Sequence, residues 1–294
     1  MNNTFFTRTE FNSRFGKELA SAGSVYEQRK KSGMQDYSLA CYDFVFLSDT
    51  KEKVLQLGKF LENNCHFKVR EPKEVDGLWE ITGDAIEFPV DDYNFMYWVL
   101  GLYCKGYEFD CKLDGYGATG DSNNQRFPDL KSVDADHYFA LAMDAYNRGD
   151  LGMSVIHFSI AIKINPSDPN SWYSRAAVKE MLYTRKAARR DYDKAIELAP
   201  NFVDAIINRA ANKDGAGEHL EAIDDYIKVI EIDPENEMAY FNMGNSKLSI
   251  GDKDGACKDW NKALALGSDS AQERIDANCK PKSFTEKAKK LFKW

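Results

Sequence analysis

The phrase AIKINP at 161–166 returns as AIELAP at 195–200 and as VIEIDP at 229–234. Its prolines, Pro166, Pro200 and Pro234, stand 34 residues apart, and a fourth version, ALALGS at 263–268, keeps the interval. A fixed period of this length marks a stacked repeat and outranks local propensity as evidence of fold. With the proline at position 32, the repeats are 135–168, 169–202, 203–236 and 237–270. Position 8 is then small in every copy: Ala142, Ala176, Ala210 and Gly244. So is position 20, with Ser154, Ala188, Ala222 and Ala256. Position 24 is aromatic (Phe158, Tyr192, Tyr226, Trp260), and position 27 is Ala161, Ala195, Val229 and Ala263. Small residues let two helices approach, and the aromatics fill the space beside them. A proline cannot continue a helix, so each repeat should stop there and a new hairpin begin.

In period and in these positions the segment 135–270 resembles the tetratricopeptide repeat (TPR). The resemblance implies an all-α solenoid of four helical hairpins, with a concave face that holds a partner's segment. Positions 5, 9 and 12 of each first helix would line that face. The candidates are Phe139, Met143, Tyr146, Tyr173, Glu180, Ile207, Phe241, Asn245 and Leu248. Relatives that clamp a terminal carboxylate carry Lys and Asn at positions 5 and 9. Phe139 and Met143 stand there in the first repeat, so an apolar or amphipathic partner is expected rather than an acidic tail. The alternative is that segments of the chain itself fill the groove.

Arg175 and Arg209 at position 7 are followed 16 residues later by Asp191 and Asp225. The first repeat has Leu141 and His157 there, and the fourth has Met243 and Asp259. Ion pairs between the two helices of a hairpin are expected, an anion site being the sharper alternative. After the fourth repeat, SAQERIDANC (270–279) suits a capping helix. The tail KPKSFTEKAKKLFKW then carries six lysines and one glutamate, a basic amphipathic pattern over 281–294 that fits a docked tail or a surface-binding helix.

Residues 1–36 read as a helical extension. From 37 to 120 the expected order is strand, helix, strand, strand, helix, strand: SLACYDFVFLS, DTKEKVLQLGKFLENN, HFKVREP, GLWEITGDAIEFP, VDDYNFMYWVLGLYCKG and YEFDCKLDGYG. That order predicts a ferredoxin-like α+β domain. A linker over 121–133 would join it to a TPR domain over 134–280. The ending with Phe109, Asp114, Gly115, Tyr116 and Gly117 resembles the B-type regulator of ribonuclease E activity, with tyrosine where that family has tryptophan. The resemblance implies a small protein-binding domain that regulates a ribonuclease.

Gly115, Gly117 and Gly120 also spell G-x-G-x-x-G. A dinucleotide loop needs that motif after an early strand and opening a helix. Here the strand is the last of its domain and DSNNQRFPDLKSVD follows, so no nucleotide is expected. Two readings of the glycines remain: a turn into the linker, or a bulge presenting Tyr116 at a binding edge. His66, His137, His157 and His219 lack metal-ligand spacing, and no nucleophile motif appears. No catalytic, cofactor or metal residues are assigned.

The bulk numbers agree with this reading. The 294 residues are 43% hydrophobic with a net charge of −8, which disfavours nucleic acid as a partner. No segment nears the ~18 apolar residues of a membrane span, and MNNTFFTRTEFNSRF lacks the pattern of a secretory signal. The six cysteines form no C-x-x-C pair, so reduced thiols in a cytoplasm are expected. The expected function is that of a non-enzymatic, protein-binding adaptor or regulator of bacterial type, in an oligomeric state the sequence does not set. An immunity-type protein that neutralises a toxin and an enzyme with an inter-domain site are the alternatives.

Overall fold

The computed structural model describes residues 3–36, 38–118 and 134–279. The expected linker, the basic tail and the last glycine of the G-x-G-x-x-G stretch, Gly120, lie outside the described residues. Contacts divide the chain into two compact units, Met1–Thr184 and Arg185–Trp294.

The first unit opens with α1 (Arg8–Lys31), capped by Thr7, whose side chain accepts from the Glu10 N–H. Then follow β1 (Ser38–Ala40), β2 (Tyr42–Ser48), α2 (Lys51–Cys65), β3 (Lys68–Val69), β4 (Lys73–Val75), β5 (Leu78–Asp84), β6 (Phe88–Val90), α3 (Asp92–Glu108) and β7 (Lys112–Ala118). The main sheet runs β3-β5-β2-β7 with antiparallel neighbours throughout. β4 folds onto β5 through Asp76 and Gly77, both at positive φ, as a two-residue hairpin turn requires. β1 and β6 make a separate two-stranded ribbon.

Strand β2 alternates strictly. Tyr42, Phe44, Phe46 and Ser48 are buried, and the residues between them are half-exposed. Helix α3 starts at Asp91, whose carboxylate accepts from the Asn94 N–H at 2.6 Å. Ten of its residues are buried, so it is a core helix wrapped on nearly all sides.

Three more helices belong to this unit: α4 (Ala135–Asn147), α5 (Leu151–Ile164) and α6 (Pro169–Met181). They share one hydrophobic core with the sheet, from Phe6 to Leu182. Gly101 of α3 meets Gly152 of α5 so closely that a Cβ on Gly101 would lie 2.9 Å from the Gly152 Cα. Asn64 at the end of α2 donates to the Arg148 carbonyl at 2.9 Å, and Arg148 donates back to the Asn64 carbonyl. The division of contacts therefore falls after Thr184, not at the linker 121–133.

The second unit holds α7 (Arg185–Leu198), α8 (Val203–Asp214), α9 (His219–Ile232), α10 (Glu237–Ser249), α11 (Lys253–Ala265) and α12 (Asp269–Asn278). Across both units the first helices of the repeats begin at 135, 169, 203 and 237, and the second helices at 151, 185, 219 and 253. Both series keep the 34-residue interval of the sequence. The small and aromatic residues at positions 8, 20, 24 and 27 are buried in all four copies. Gly244 shows why position 8 must be small: a Cβ there would meet the Trp260 ring at 2.6 Å. Caps recur with the period, Asp134, Asp168 and Asn236 before first helices and Asp150 and Asp252 before second ones.

Three expectations are corrected. Cys257 and Cys279 form a disulfide, Cα–Cα 5.6 Å, so the thiols are not all reduced. They are 22 residues apart and belong to no spacing motif, which is why counting cysteines missed them. Cys65 and His66 are not on a strand: Cys65 ends α2, and His66 takes a left-handed conformation as its C-cap. Gly117 is not in a turn to the linker but inside β7, opposite Asp43.

Candidate functional site

Position 7 and position 23 face each other within a hairpin, and each repeat solves that contact differently. In the third repeat the Arg209 guanidinium binds Asp225 with two hydrogen bonds, at 2.8 and 2.6 Å, and Lys213 adds a third at 2.7 Å. In the fourth, Met243 replaces the arginine and Lys247 approaches Asp259 at 2.7 Å instead. In the first, burial holds the His157 imidazole neutral, its pKa lowered to about 4, and it bonds the Leu141 backbone. Arg175 of α6 is buried, donates to Ser159 Oγ at 3.1 Å and lies over the Trp172 and Tyr93 rings.

The groove candidates fare unequally. On α4, Met143 and Tyr146 are exposed, at 36% and 38%, one turn apart on the same face. Phe139 lies edge-on to Phe158 and joins the core margin. Tyr173 and Glu180 of α6 are half-buried. In the second unit Ile207 is a core residue, and Phe241 and Leu248 pack against the cluster around Trp260. Asn245 alone of that group opens into a pocket.

That pocket, of about 260 Å³, lies between first helices α8 and α10, with His219 and Tyr226 of α9 at its back. Its centre is Asp214, at position 12 of the third repeat. His219 Nδ1 lies 2.9 Å from Asp214 Oδ1. Tyr226 and Ser246 both donate to Oδ2, at 3.2 and 2.7 Å. Burial and the adjoining Asp214 charge hold the Tyr226 phenol well above its ordinary pKa, so it stays a donor. Asn242, Asn245 and Ser249 complete a polar wall. Ser246 sits on the carboxylate rather than on the imidazole, which is not the geometry of an activated serine. Only Asn245 of these was among the sequence candidates. The signal that could have found the rest is the polar run Asn242, Asn245, Ser246 and Ser249 on one helix.

In the first unit the stretch 113–118 is edge strand. The register between β2 and β7 slips at Asp114, which is left unpaired as a bulge between Leu113 and Gly115. Asp114 is exposed, but Tyr116 is half-buried with its ring edge-on to Phe95 and Trp98. Asp110, missed by the sequence reading, binds three successive backbone N–H groups, of Thr4, Phe5 and Phe6, together with Lys53. Among the described residues no group of three or more His, Cys, Asp or Glu is placed to hold a metal, and no helix is long and apolar enough to cross a membrane.

No protein-family model matches the chain, and no curated protein matches it. Solved structures similar to it include MamA, 24% identical over 47% of this chain and 81% of that one, with a TM-score of 0.45. PilF of Pseudomonas aeruginosa is 21% identical over 45% of this chain and 61% of its own, with a TM-score of 0.42. YrrB, a TPR protein with an unusual peptide-binding site, is 18% identical over 63% of this chain and 91% of its own, with a TM-score of 0.46.

Proposed function

We propose that the protein is an adaptor that binds a partner protein on the exposed faces of its first helices, acting by binding rather than by catalysis. The observation that carries this reading is that positions 9 and 12 are turned outward instead of into the core: Met143 and Tyr146 in the first repeat, Asp214 and Asn245 in the third and fourth. Large apolar side chains such as Met143 and Tyr146 seldom stand side by side in water without a use. The ferredoxin-like reading of the main sheet is supported by its strand order, β3-β5-β2-β7, reached through the sequence strand-helix-strand-strand-helix-strand. The ribonuclease-regulator resemblance gains less support, because Tyr116 is turned toward the core and Asp114 is the exposed member of its motif.

The test compares partner recovery by the full chain and by a Met143→Ser/Tyr146→Ser variant, using cross-linking and mass spectrometry. Both changes lie at exposed positions, so the melting temperature should hold. A partner captured by the native chain should be lost from the variant, and equal recovery by both would remove this face from the function.

A further inference from the structure

The pocket around Asp214 has a chemistry of its own. Asp214 sits in a recess with polar walls and pairs with neither lysine nor arginine among the described residues; its contacts are an imidazole, a phenol and a hydroxyl. The contrast with Asp225, two turns away in sequence on α9, is direct: that carboxylate is closed off by Arg209 and Lys213. At the pocket wall the Asn245 carboxamide oxygen accepts from no donor among the described residues. The site thus offers one uncompensated negative charge and a spare acceptor, and no cation. Over 185–279 there are 13 Lys and Arg against 19 Asp and Glu, so the surrounding field also favours a cation. A volume of about 260 Å³ falls just below the usual range for drug-sized ligands, and suits one side chain.

We propose that this pocket is a specificity site for the cationic end of an arginine or lysine side chain carried on an extended segment of the partner protein. The inference rests on the adaptor reading and deepens it by naming the chemistry of one anchor. The guanidinium or ammonium group would lie against Asp214 and give a proton of a hydrogen bond to Asn245, while Ser246 and Tyr226 keep the carboxylate aimed into the recess. A charge-assisted pair in a recess is stronger than one on an open surface, so a single anchor can set selectivity.

The test uses the full chain at about pH 8, where histidine is neutral, and fluorescence anisotropy. The probes are an end-blocked, labelled pentapeptide AARAA, the same peptide with citrulline, which keeps the shape without the charge, and unlabelled putrescine as competitor. The arginine peptide should bind at least 10-fold tighter than the citrulline peptide, and Asp214→Asn should bring that ratio to about 1. Because Asp214 ties three helices together, Asn245→Asp is the second variant: a second carboxylate should tighten the arginine peptide several-fold, which no folding defect can imitate. Equal binding of the two peptides by the native chain, or no gain with Asn245→Asp, overturns the proposal. Putrescine displacing the peptide at concentrations below the peptide's own dissociation constant would overturn the peptide as the source of the cation. If the peptides fail here while the Met143/Tyr146 variant still loses its partner, the adaptor reading stands and this anchor alone falls.

Discussion

Arg209 holds Asp225 at two points, Nε to Oδ2 at 2.8 Å and Nη2 to Oδ1 at 2.6 Å, and the carboxylate side chain is only 1% exposed. A buried pair of this kind is costly to break from one side, because the survivor keeps its charge without its partner. Asp225→Ala should therefore destabilise the second unit by about 3 kcal/mol. Arg209→Met should cost less, about 2 kcal/mol, since Lys213 still reaches Asp225 at 2.7 Å. The double change Arg209→Met/Asp225→Leu should be milder than the sum of the singles. Urea denaturation of the three variants measures this, and strictly additive losses would show that the two residues do not act as a pair.

That pair was legible in the sequence, and the reason is instructive. Arg209 and Asp225 are 16 residues apart inside one repeat, so the period alone brings them together on facing helices. The same holds for Gly244 under Trp260 and for the buried alanines at positions 8, 20 and 27. In the β-α-β-β-α-β half, each element carried its own signal, such as Asp91 before the apolar run of α3 or Asp76-Gly77 between short strands. What could not be read depends on contacts across long loops. Gly101 and Gly152 join the first hairpin to the sheet domain, yet neither lies in a motif. Asp110 looked like a turn residue, although it anchors a segment more than a hundred positions earlier. The Asp214 pocket draws on three helices, and each of its polar side chains taken alone reads as ordinary surface.

Asp110 gives the first unit an acid limit. Burial alone would raise its pKa, but Lys53 and the backbone N–H groups of Phe6, Thr4 and Phe5 outweigh it and bring the value down to about 2. A carboxyl whose folded pKa is depressed contributes stability that is complete above its unfolded value near 4 and disappears as pH falls toward 2. The contribution at neutral pH is about 2 kcal/mol. Asp110→Asn should remove most of it at pH 7 and flatten the acid limb between pH 4 and 2. Thermal melts of both chains across that window decide the matter, and parallel curves would deny Asp110 the role.

The crossing of α3 and α5 predicts a contrast between two glycines. A Cβ on Gly152 would lie 2.8 Å from the Tyr97 carbonyl oxygen and 3.4 Å from the Gly101 Cα, and backbone cannot step aside as a side chain can. Gly152→Ala should therefore cost about 2 to 3 kcal/mol through overpacking. Gly23, in the middle of α1, has nothing within 4 Å of the same position. Gly23→Ala should instead stabilise by about 0.5 to 1 kcal/mol, because alanine loses less backbone entropy in a helix. Opposite shifts in melting temperature are expected, and a neutral Gly152→Ala would mean that the two helices can separate freely.

The Cys257–Cys279 disulfide should act on the end of the solenoid rather than on its middle. It closes a segment of 22 residues that contains all of α12, a helix of ten residues with one buried side chain, Ala271. A helix that short is marginal in water without tertiary support, and Ile275 and Ala271 supply little of it. Closing a loop of this length restricts the unfolded chain by about 3 kcal/mol in the chain-entropy account. Reduction, or Cys279→Ser, should leave the arginine–aspartate pair of the third repeat untouched while α12 loosens. Hydrogen exchange in the presence and absence of a reductant reads this directly. Amides of Asp269–Asn278 should exchange at least 10-fold faster once the bond is open, whereas those of α8 and α9 keep their rates. Unchanged protection of α12 after complete reduction would mean that packing on the Trp260 cluster, and not the covalent tie, holds the cap in place.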